Sequence, residues 1–300
     1  SVAAVMLKEE GYNVTGITMN LYSQTESKSS KSCCAGKDIA DARKIATQYN
    51  FPHITLDYQE KFFKGVIDNF VESYAEGETP IPCIQCNRTV KFRDLLNEAK
   101  KMNADTLVTG HYARRIESNI NAKLFKAKDE SKDQSYFLFA THKEQLNYLR
   151  FPLGNFLKSE IRDLAKKFNL VVSDKPDSQD ICFVQSKSYR DLINTLKPEI
   201  NIEGNFKDSS GNILGKHKGI SNYTIGQRKG LGIGGFKIPM YVIDINKKNN
   251  EIILGDESKI KKTIVTLNQI NWLDESISKQ NLKCMAKIRS TQKESSGILN

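Results

Sequence analysis

The residues best equipped for chemistry in this 300-residue sequence are its thiols. There are six: Cys33, Cys34, Cys83, Cys86, Cys182 and Cys284. They are too sparse for a disulfide scaffold, and their spacing says more than their number. Cys33 and Cys34 are adjacent. Cys83 and Cys86 form a C-x-x-C inside Thr79-Pro80-Ile81-Pro82-Cys83-Ile84-Gln85-Cys86-Asn87. Cys182 stands alone in Pro176-Asp177-Ser178-Gln179-Asp180-Ile181-Cys182-Phe183. C-x-x-C suits metal or redox work, but the second pair that a four-cysteine zinc site needs is missing at the usual spacing. Cys33, Cys34 and Cys284 fit equally well as small buried hydrophobes. Cys86 directly precedes Asn87-Arg88-Thr89-Val90-Lys91-Phe92-Arg93, read as the first turn of a helix. Amides at a helix start and nearby basic groups favour the reactive thiolate. His53, His142 and His217 have no partner at ligand spacing and read as structural or surface residues.

Helices and strands must position these thiols. Val2 to Glu10 reads as a helix stopped at Gly11, a residue that tolerates left-handed backbone. Tyr12 to Met19 reads as a strand, Asp38 to Tyr49 as a helix, Phe51 to Leu56 as a strand. Phe62 to Tyr74 is an amphipathic helix with Phe63, Val66, Ile67 and Phe70 on one face. Val90 to Met102 is another, and Asp105 to Thr109 is a short strand ending in Gly110-His111. Alternating elements of this kind predict a doubly wound α/β domain with a parallel sheet. Ligands lie at the carboxyl ends of such strands, where Met19 and Gly110-His111 fall. Further on, Thr141-His142-Lys143-Glu144 has capping-box spacing. Ser159 to Phe168 and Ser188 to Leu196 are helical, with Ile161, Leu164 and Ala165 inward on the first.

The texture then changes. Nine of the 18 glycines lie between Gly204 and Gly235. Pro239 to Ile245 and Glu251 to Leu254 flank Asn246-Lys247-Lys248-Asn249-Asn250 as a hairpin. Ile264 to Leu273 and Leu282 to Ile288 read as further strands, with Trp272 in the core of a last domain. The predicted domains are residues 1–197, α/β; 198–257, β-rich and glycine-rich; and 258–300.

Composition bounds the function. Lys and Arg number 45 against 35 Asp and Glu, a net charge of +10. Mean hydropathy is −0.49, and no run approaches the ~18–20 apolar residues of a membrane span. No basic, apolar leader opens the chain, so a cytoplasmic protein without membrane attachment is expected. The opening Ser1-Val2-Ala3-Ala4-Val5 and the closing Ile298-Leu299-Asn300 read as cuts through structural elements. Residues 207–237 carry Lys207, Lys216, Lys218, Arg228, Lys229 and Lys237 against Asp208 alone. Glycine lets backbone approach a partner closely and the cations would neutralise phosphates, so a polyanion partner is expected.

Six strings, in order, carry a family resemblance. They are Ser1-Val2-Ala3-Ala4 with Gly11-Tyr12; the Cys83/Cys86 segment ending Cys86-Asn87-Arg88-Thr89-Val90-Lys91-Phe92; Thr109-Gly110-His111-Tyr112-Ala113-Arg114; Lys132-Asp133-Gln134-Ser135-Tyr136-Phe137-Leu138; Asp177-Ser178-Gln179-Asp180-Ile181-Cys182-Phe183; and Tyr223 to Gly232. Along its whole length the sequence resembles the tRNA-specific 2-thiouridylases, the MnmA/TrmU family. The resemblance implies an adenine-nucleotide α-hydrolase-like domain of the pyrophosphate-loop type, a small central β-rich domain and a C-terminal β-barrel, here partial. It implies a tRNA sulfurtransferase that uses ATP with Mg2+ to adenylate O2 of the wobble uridine. Sulfur from a cysteine persulfide, delivered by a sulfur-carrier protein, then replaces that oxygen. It implies Cys86 as nucleophile and Cys182 as persulfide carrier, with a disulfide left to be reduced. Met19 and Gly110 match nucleotide-contacting positions. His111, Lys132, Asp133, Gln134, Arg289 and Ser290 match tRNA-contacting ones. Ile81, Pro82 and Cys83 match the target-base region.

Two departures qualify the match. The family's Ser-Gly-Gly-x-Asp-Ser pyrophosphate loop is absent; the residues that follow it begin at Ser1, which predicts poor ATP binding by this chain. Many members carry Asp, assigned a general acid/base role, where Cys83 stands; a thiol needs a tuned pKa to substitute. The third cysteine also opens an alternative, a 4Fe–4S cluster on Cys83, Cys86 and Cys182 as in related tRNA thiolases.

Overall fold

The computed structural model describes residues 1–22, 36–119, 121–173, 175, 181–184, 188–277 and 280–300. Cys33, Cys34 and Asp177 to Asp180 of the Cys182 motif lie outside the described residues. The chain packs as two compact units. The first comprises Ser1–Phe62, Cys83–Gln179 and Gln269–Asn300, the second Phe63–Pro82 and Asp180–Asn268.

In the first unit, helix α1 (Val2–Glu9) ends as the sequence predicts. Gly11 takes φ +90°, and the amides of Gly11 and Tyr12 close onto Lys8 and Leu7 carbonyls, satisfying groups a helix end orphans. Strand β1 (Gly16–Asn20), helix α2 (Gly36–Gln48) and strand β2 (His53–Asp57) follow, with β1 and β2 parallel from Gly16↔His53 to Asn20↔Asp57. Helix α3 is Gln59–Phe62. Helix α5 (Pro82–Cys86), a π-helical stretch (Asn87–Leu95) and α6 (Leu96–Lys101) run on in sequence. Strand β3 (Leu107–Val108) pairs in parallel with β6 (Leu149–Arg150), and β4 (Ala113–Ile116) forms a hairpin with β5 (Lys123–Lys126). Helix α7 is Lys143–Tyr148 and α8 is Lys158–Lys167. Val5, Ile45, Ala46, Phe51, Ile161 and Ala165 belong to the core that joins α1, α2 and α8. This is the expected α/β layering with parallel strands. Among the described residues, however, the parallel strands form two separate pairs rather than one continuous sheet, β3 being two residues long before Gly110.

The second unit contains a π-helical turn (Phe63–Ile67), α4 (Asp68–Ala75) and α9 (Tyr189–Leu196), capped by Ser188, whose Oγ accepts from the Asp191 amide. Phe70, Val71, Tyr74 and Ile193 form their shared core. Phe63 departs from the predicted apolar face: it is exposed while Val66, Ile67 and Phe70 are buried. The π turn alters the angular step, so the 3.6-residue pattern fails there. Strands β7 (Gly204–Asp208), β8 (Ile213–His217), β9 (Tyr241–Asn246) and β10 (Glu251–Gly255) make one sheet in the order β8-β7-β10-β9. The β9–β10 hairpin is the predicted one.

Residues 264–273 form no strand, and Ile264 is 82% exposed. Trp272 is half-buried rather than a core residue. The expected start of a C-terminal barrel is an antiparallel hairpin, β11 (Leu282–Ala286) with β12 (Ser295–Leu299), and no closed barrel forms among the described residues. No described helix is long and apolar enough to cross a membrane.

Candidate functional site

The first unit gathers most of the candidate residues around the helix that carries Cys86. Pro82 sits at the start of α5, a position where a missing amide costs nothing. One turn separates Cys83, which is exposed, from Cys86, which is 7% exposed. Immediately after Cys86 the backbone widens into the π-helical stretch, a distortion that often accompanies functional sites. Its inward side chains include two polar ones, Asn87 and Thr89. Thr89 Oγ1 donates to the Gln85 carbonyl at 2.7 Å. Asn87 Nδ2 donates to the Phe137 carbonyl at 3.1 Å, whereas Asn87 Oδ1 is buried with no hydrogen-bond partner among the described residues.

Phe92 on the same stretch meets the His111 ring edge-on, centroids 5.7 Å apart, and Phe151 meets it at 6.0 Å, the two phenyl rings themselves lying 6.4 Å apart. Thr109 Oγ1 lies 2.8 Å from His111 Nδ1. Burial, aided by the charge of Lys91, pushes the His111 pKa down to about 3. The imidazole is therefore neutral near pH 7, so it offers a hydrogen bond and a ring face rather than a charge. Gly110 precedes it. A Cβ there would meet Leu153 Cδ1 at an ordinary 3.6 Å, so the protein's own packing does not demand glycine. Met19 is half-buried, one residue before the carboxyl end of β1.

Lys132-Asp133-Gln134 is tied to this strand end. The Tyr112 amide donates to Gln134 Oε1 at 2.9 Å, and the Gln134 amide donates to the Tyr112 carbonyl at 2.8 Å. Asp133 is turned inward: its carboxylate accepts from the amides of Ala127 (2.9 Å) and Ser135 (3.2 Å) and from Ser135 Oγ (2.7 Å). Tyr136 then reaches the C-terminal segment, its hydroxyl donating to the Ile288 carbonyl at 2.8 Å, beside exposed Arg289 and Ser290. Asn87, next to Cys86, is thus bonded to the Phe137 carbonyl, and Tyr136 to the Ile288 carbonyl, next to Arg289; Gln134 is bonded to Tyr112, next to His111. Asn87 and Tyr136 are the links that sequence reading missed. Both stood inside quoted strings, but nothing in residue type or spacing marks a buried amide as a strut.

Cys182 is in the second unit. It is half-buried at the corner of a turn closed by the Val184 amide on the Ile181 carbonyl at 3.0 Å. Its neighbours Ile181 and Phe183 pack against the α4–α9 core, Phe183 meeting Phe70 edge-on at 5.3 Å. The three remaining described histidines are structural or surface as expected. His53 Nε2 lies 2.8 Å from Thr18 Oγ1, and His217 is buried against the Asn250 carbonyl. His142 sits at the start of α7. Among the described residues no group of three or more His, Cys, Asp or Glu side chains is placed to hold a metal ion.

Comparison with known proteins agrees with this architecture. Residues 1–186 match the family model for a tRNA methyl transferase HUP domain and residues 192–256 that for a tRNA methyl transferase PRC-barrel domain. The chain is thus a nucleotide α-hydrolase-like domain joined to a PRC-barrel domain. It is 50% identical over 294 residues to the tRNA-specific 2-thiouridylase MnmA of Rickettsia peacockii (strain Rustic), covering 97% of this chain and 80% of that protein. The proteins of the same name from Orientia tsutsugamushi (strain Boryong) and the Wolbachia of Drosophila simulans (strain wRi) are each 51% identical over 293 residues, with 79% and 78% of their lengths covered. The chain belongs to the tRNA-specific 2-thiouridylase family.

Proposed function

We propose that this protein replaces O2 of the wobble uridine of tRNA with sulfur. Family membership supports a tRNA-uridine sulfurtransferase, and the observation that carries the residue-level reading is the set of bonds that ties Asn87 beside Cys86 to Phe137, Gln134 to Tyr112 beside His111, and Tyr136 to Ile288 beside Arg289. A neutral imidazole, a lysine, an amide and an arginine suit an RNA surface in which bases and phosphates are both held. Ile81, Pro82 and Cys83, at the start of the Cys86 helix, would meet the target base.

ATP, with Mg2+, supplies when bound the adenylyl group that makes uridine O2 a leaving group. Met19 and Gly110 would hold it, Met19 near the carboxyl end of β1 and Gly110 just after β3, where ligands of such strands lie. Cys182 would carry sulfane sulfur as a persulfide received from a sulfur-carrier protein. The Cys86 thiolate attacks Cys182 Sγ, the bond to the terminal sulfur breaks, and hydrosulfide departs with the electron pair. That sulfur adds at C2 of the uridine as the activated oxygen leaves. A Cys86–Cys182 disulfide remains, which an external thiol reduces.

The alternative, a 4Fe–4S cluster, needs three thiolates. Cys83 and Cys86 offer two, one turn apart, and Cys182 would have to supply the third. Persulfide chemistry needs only the two thiols that the family resemblance implies, Cys86 and Cys182. The test is thiolation of tRNA by the full-length protein and its Cys86→Ala and Cys182→Ala variants, read as 2-thiouridine by mass spectrometry, with iron measured after anaerobic purification. Loss of product in both variants without iron is expected. Undiminished product in both would remove the mechanism, and iron lost together with activity would replace it with the cluster.

A further inference from the structure

The glycine-rich segment of the second unit is a built surface. Residues 224–235 span the sheet from one edge to the other. At the β9 edge, the Gly226 amide donates to the Val242 carbonyl (2.8 Å) and the Val242 amide to the Gln227 carbonyl (3.0 Å). At the β8 edge, Ile233 sits over Gly215, where a Cβ would come within 3.0 Å of Ile233 Cγ2. Between these anchors, Leu231 is buried in the same core as Tyr223, Val242 and Ile252. Leu231 and Ile233 thus face the sheet, whereas Ile225, Arg228 and Lys229 are exposed.

At the outer bend the Gln227 side chain acts as an internal brace. Its Oε1 accepts from the Thr224 amide (3.2 Å) and its Nε2 donates to the Lys229 carbonyl (3.0 Å). Arg228 and Lys229 stand exposed on this braced bend, and Lys216, Lys218 and Lys237 are exposed on the chain before and after the segment. None of these five takes part in an ion pair among the described residues, whereas Lys207, further back, is neutralised by Glu251 at 2.5 Å. No Asp or Glu occurs from residue 209 to residue 243. A protein interface usually mixes charge signs and buries an apolar centre. A run of cations of one sign on a braced backbone suits phosphates instead.

We infer that the Gln227-braced bend holds the tRNA backbone through Arg228 and Lys229, a contact separate from the residues around Cys86. This takes from the proposed function only that the substrate is a tRNA. The brace fixes the backbone carrying both cations before RNA arrives, so less ordering remains to be done on binding.

The experiment is tRNA binding by fluorescence anisotropy across a salt series. It uses the whole protein, Arg228→Ala/Lys229→Ala, the charge-keeping Arg228→Lys/Lys229→Arg, Gln227→Ala, and Lys166→Ala/Lys167→Ala as an exposed control pair on α8. Each phosphate contact is worth about fivefold in affinity at 0.15 M salt and about 0.9 in the slope of log K against log salt. The double alanine variant should therefore bind about thirtyfold more weakly, with a slope shallower by about two. The charge-keeping variant should restore the slope, Gln227→Ala should weaken binding while keeping the slope, and the α8 pair should match the parent. Unchanged affinity and slope in the double alanine variant overturn the inference. If that variant keeps its tRNA but loses sulfur delivery from a persulfidated protein, the surface belongs to a protein partner instead. Failure of the parent protein to bind tRNA at all defeats the proposed function itself, a result distinct from either.

Discussion

Asn87 Nδ2 donates to the carbonyl of Phe137 at 3.1 Å. One bond thus joins the residue after Cys86 to the segment that carries Lys132, Asp133 and Gln134. Asn87→Ala removes it and leaves the Phe137 carbonyl without that donor. A lost buried hydrogen bond costs about 1–3 kcal/mol. We expect a lowered thermal midpoint and thiolation reduced more than tenfold, because the Cys86 helix loses its strut to the segment carrying Lys132, Asp133 and Gln134. Asn87→Asp should be worse, since a carboxylate cannot donate to the carbonyl and is costly to bury. Calorimetry and single-turnover thiolation separate the two effects: full activity in a destabilised Asn87→Ala variant would show that the strut serves folding alone.

Gln134 offers a cleaner division of labour. Its Oε1 accepts from the Tyr112 amide at 2.9 Å, a bond that a glutamate can also accept. Gln134→Glu should therefore keep the thermal midpoint of the parent while adding a negative charge beside His111. If this surface meets RNA, tRNA affinity falls severalfold for Gln134→Glu and recovers partly at high salt, where repulsion is screened. Gln134→Ala should instead lose stability by about 1 kcal/mol. Equal tRNA affinity in Gln134→Glu and the parent would place this residue away from the RNA.

Much of the first unit was legible because its signals are local. Gly11 stops α1 through left-handed backbone, and asparagines do the same after α2, α6 and α8, where Asn50, Asn103 and Asn169 have φ of 49°, 56° and 48°. The α7 start misled by one residue. Thr141 has the right type for a cap, but it is 2% exposed and its amide closes the preceding turn on Leu138. The box forms instead on His142, whose amide donates to Gln145 Oε1 at 3.0 Å. Residues 264–273 have β-rich composition, yet composition cannot supply a pairing partner, and here the segment is pinned by Asn271, whose Nδ2 donates to the carbonyls of Phe139 and Thr141. Within the candidate site, the cysteines and His111 stood out by type. The struts between them did not, because Asn87 and Tyr136 act through backbone carbonyls whose positions only the fold sets.

Gly154 shows how tightly β4 is held. A Cβ there would fall 1.8 Å from the Ala113 carbonyl oxygen and 2.4 Å from its carbon, atoms of backbone that cannot swing aside. Gly154→Ala must therefore move β4, and with it Tyr112 and His111 just before it. Overpacking of this kind costs about 3 kcal/mol or more. We expect a thermal midpoint lower by roughly 6–12 °C on the scaling for domains of this size, accompanied by weaker tRNA binding. Gly110→Ala is the contrasting variant, because its Cβ meets only Leu153 Cδ1 at 3.6 Å. It should fold like the parent, and any loss should appear in the KM for ATP measured on the full-length protein. A large drop in midpoint for Gly110→Ala would mean that its glycine serves packing after all.

His111 sets a pH window. Its folded pKa is pushed down to about 3, by burial first and the charge of Lys91 second, while an unfolded histidine titrates near 6.5. The unfolded chain therefore takes up the proton first as pH falls. The stability contributed by the neutral, half-buried ring is fully present above about pH 6.5 and is lost progressively as pH drops toward 3. Replacing His111 by Gln keeps a polar side chain but removes this titration. Urea midpoints of the parent and His111→Gln, measured at pH 7.5, 6, 5 and 4 (values chosen to span roughly this window), should converge as pH falls, because only the parent loses the histidine contribution. Carboxylates common to both proteins cancel in the difference. The same low pKa means that His111 stays uncharged through the range in which enzymes are assayed, so tRNA affinity should show no histidine-like step between about pH 5.5 and 8 assignable to this residue. A step in the parent that His111→Gln abolishes would show that the ring protonates in the complex, and that RNA binding loosens the packing of Phe92 and Phe151 against it.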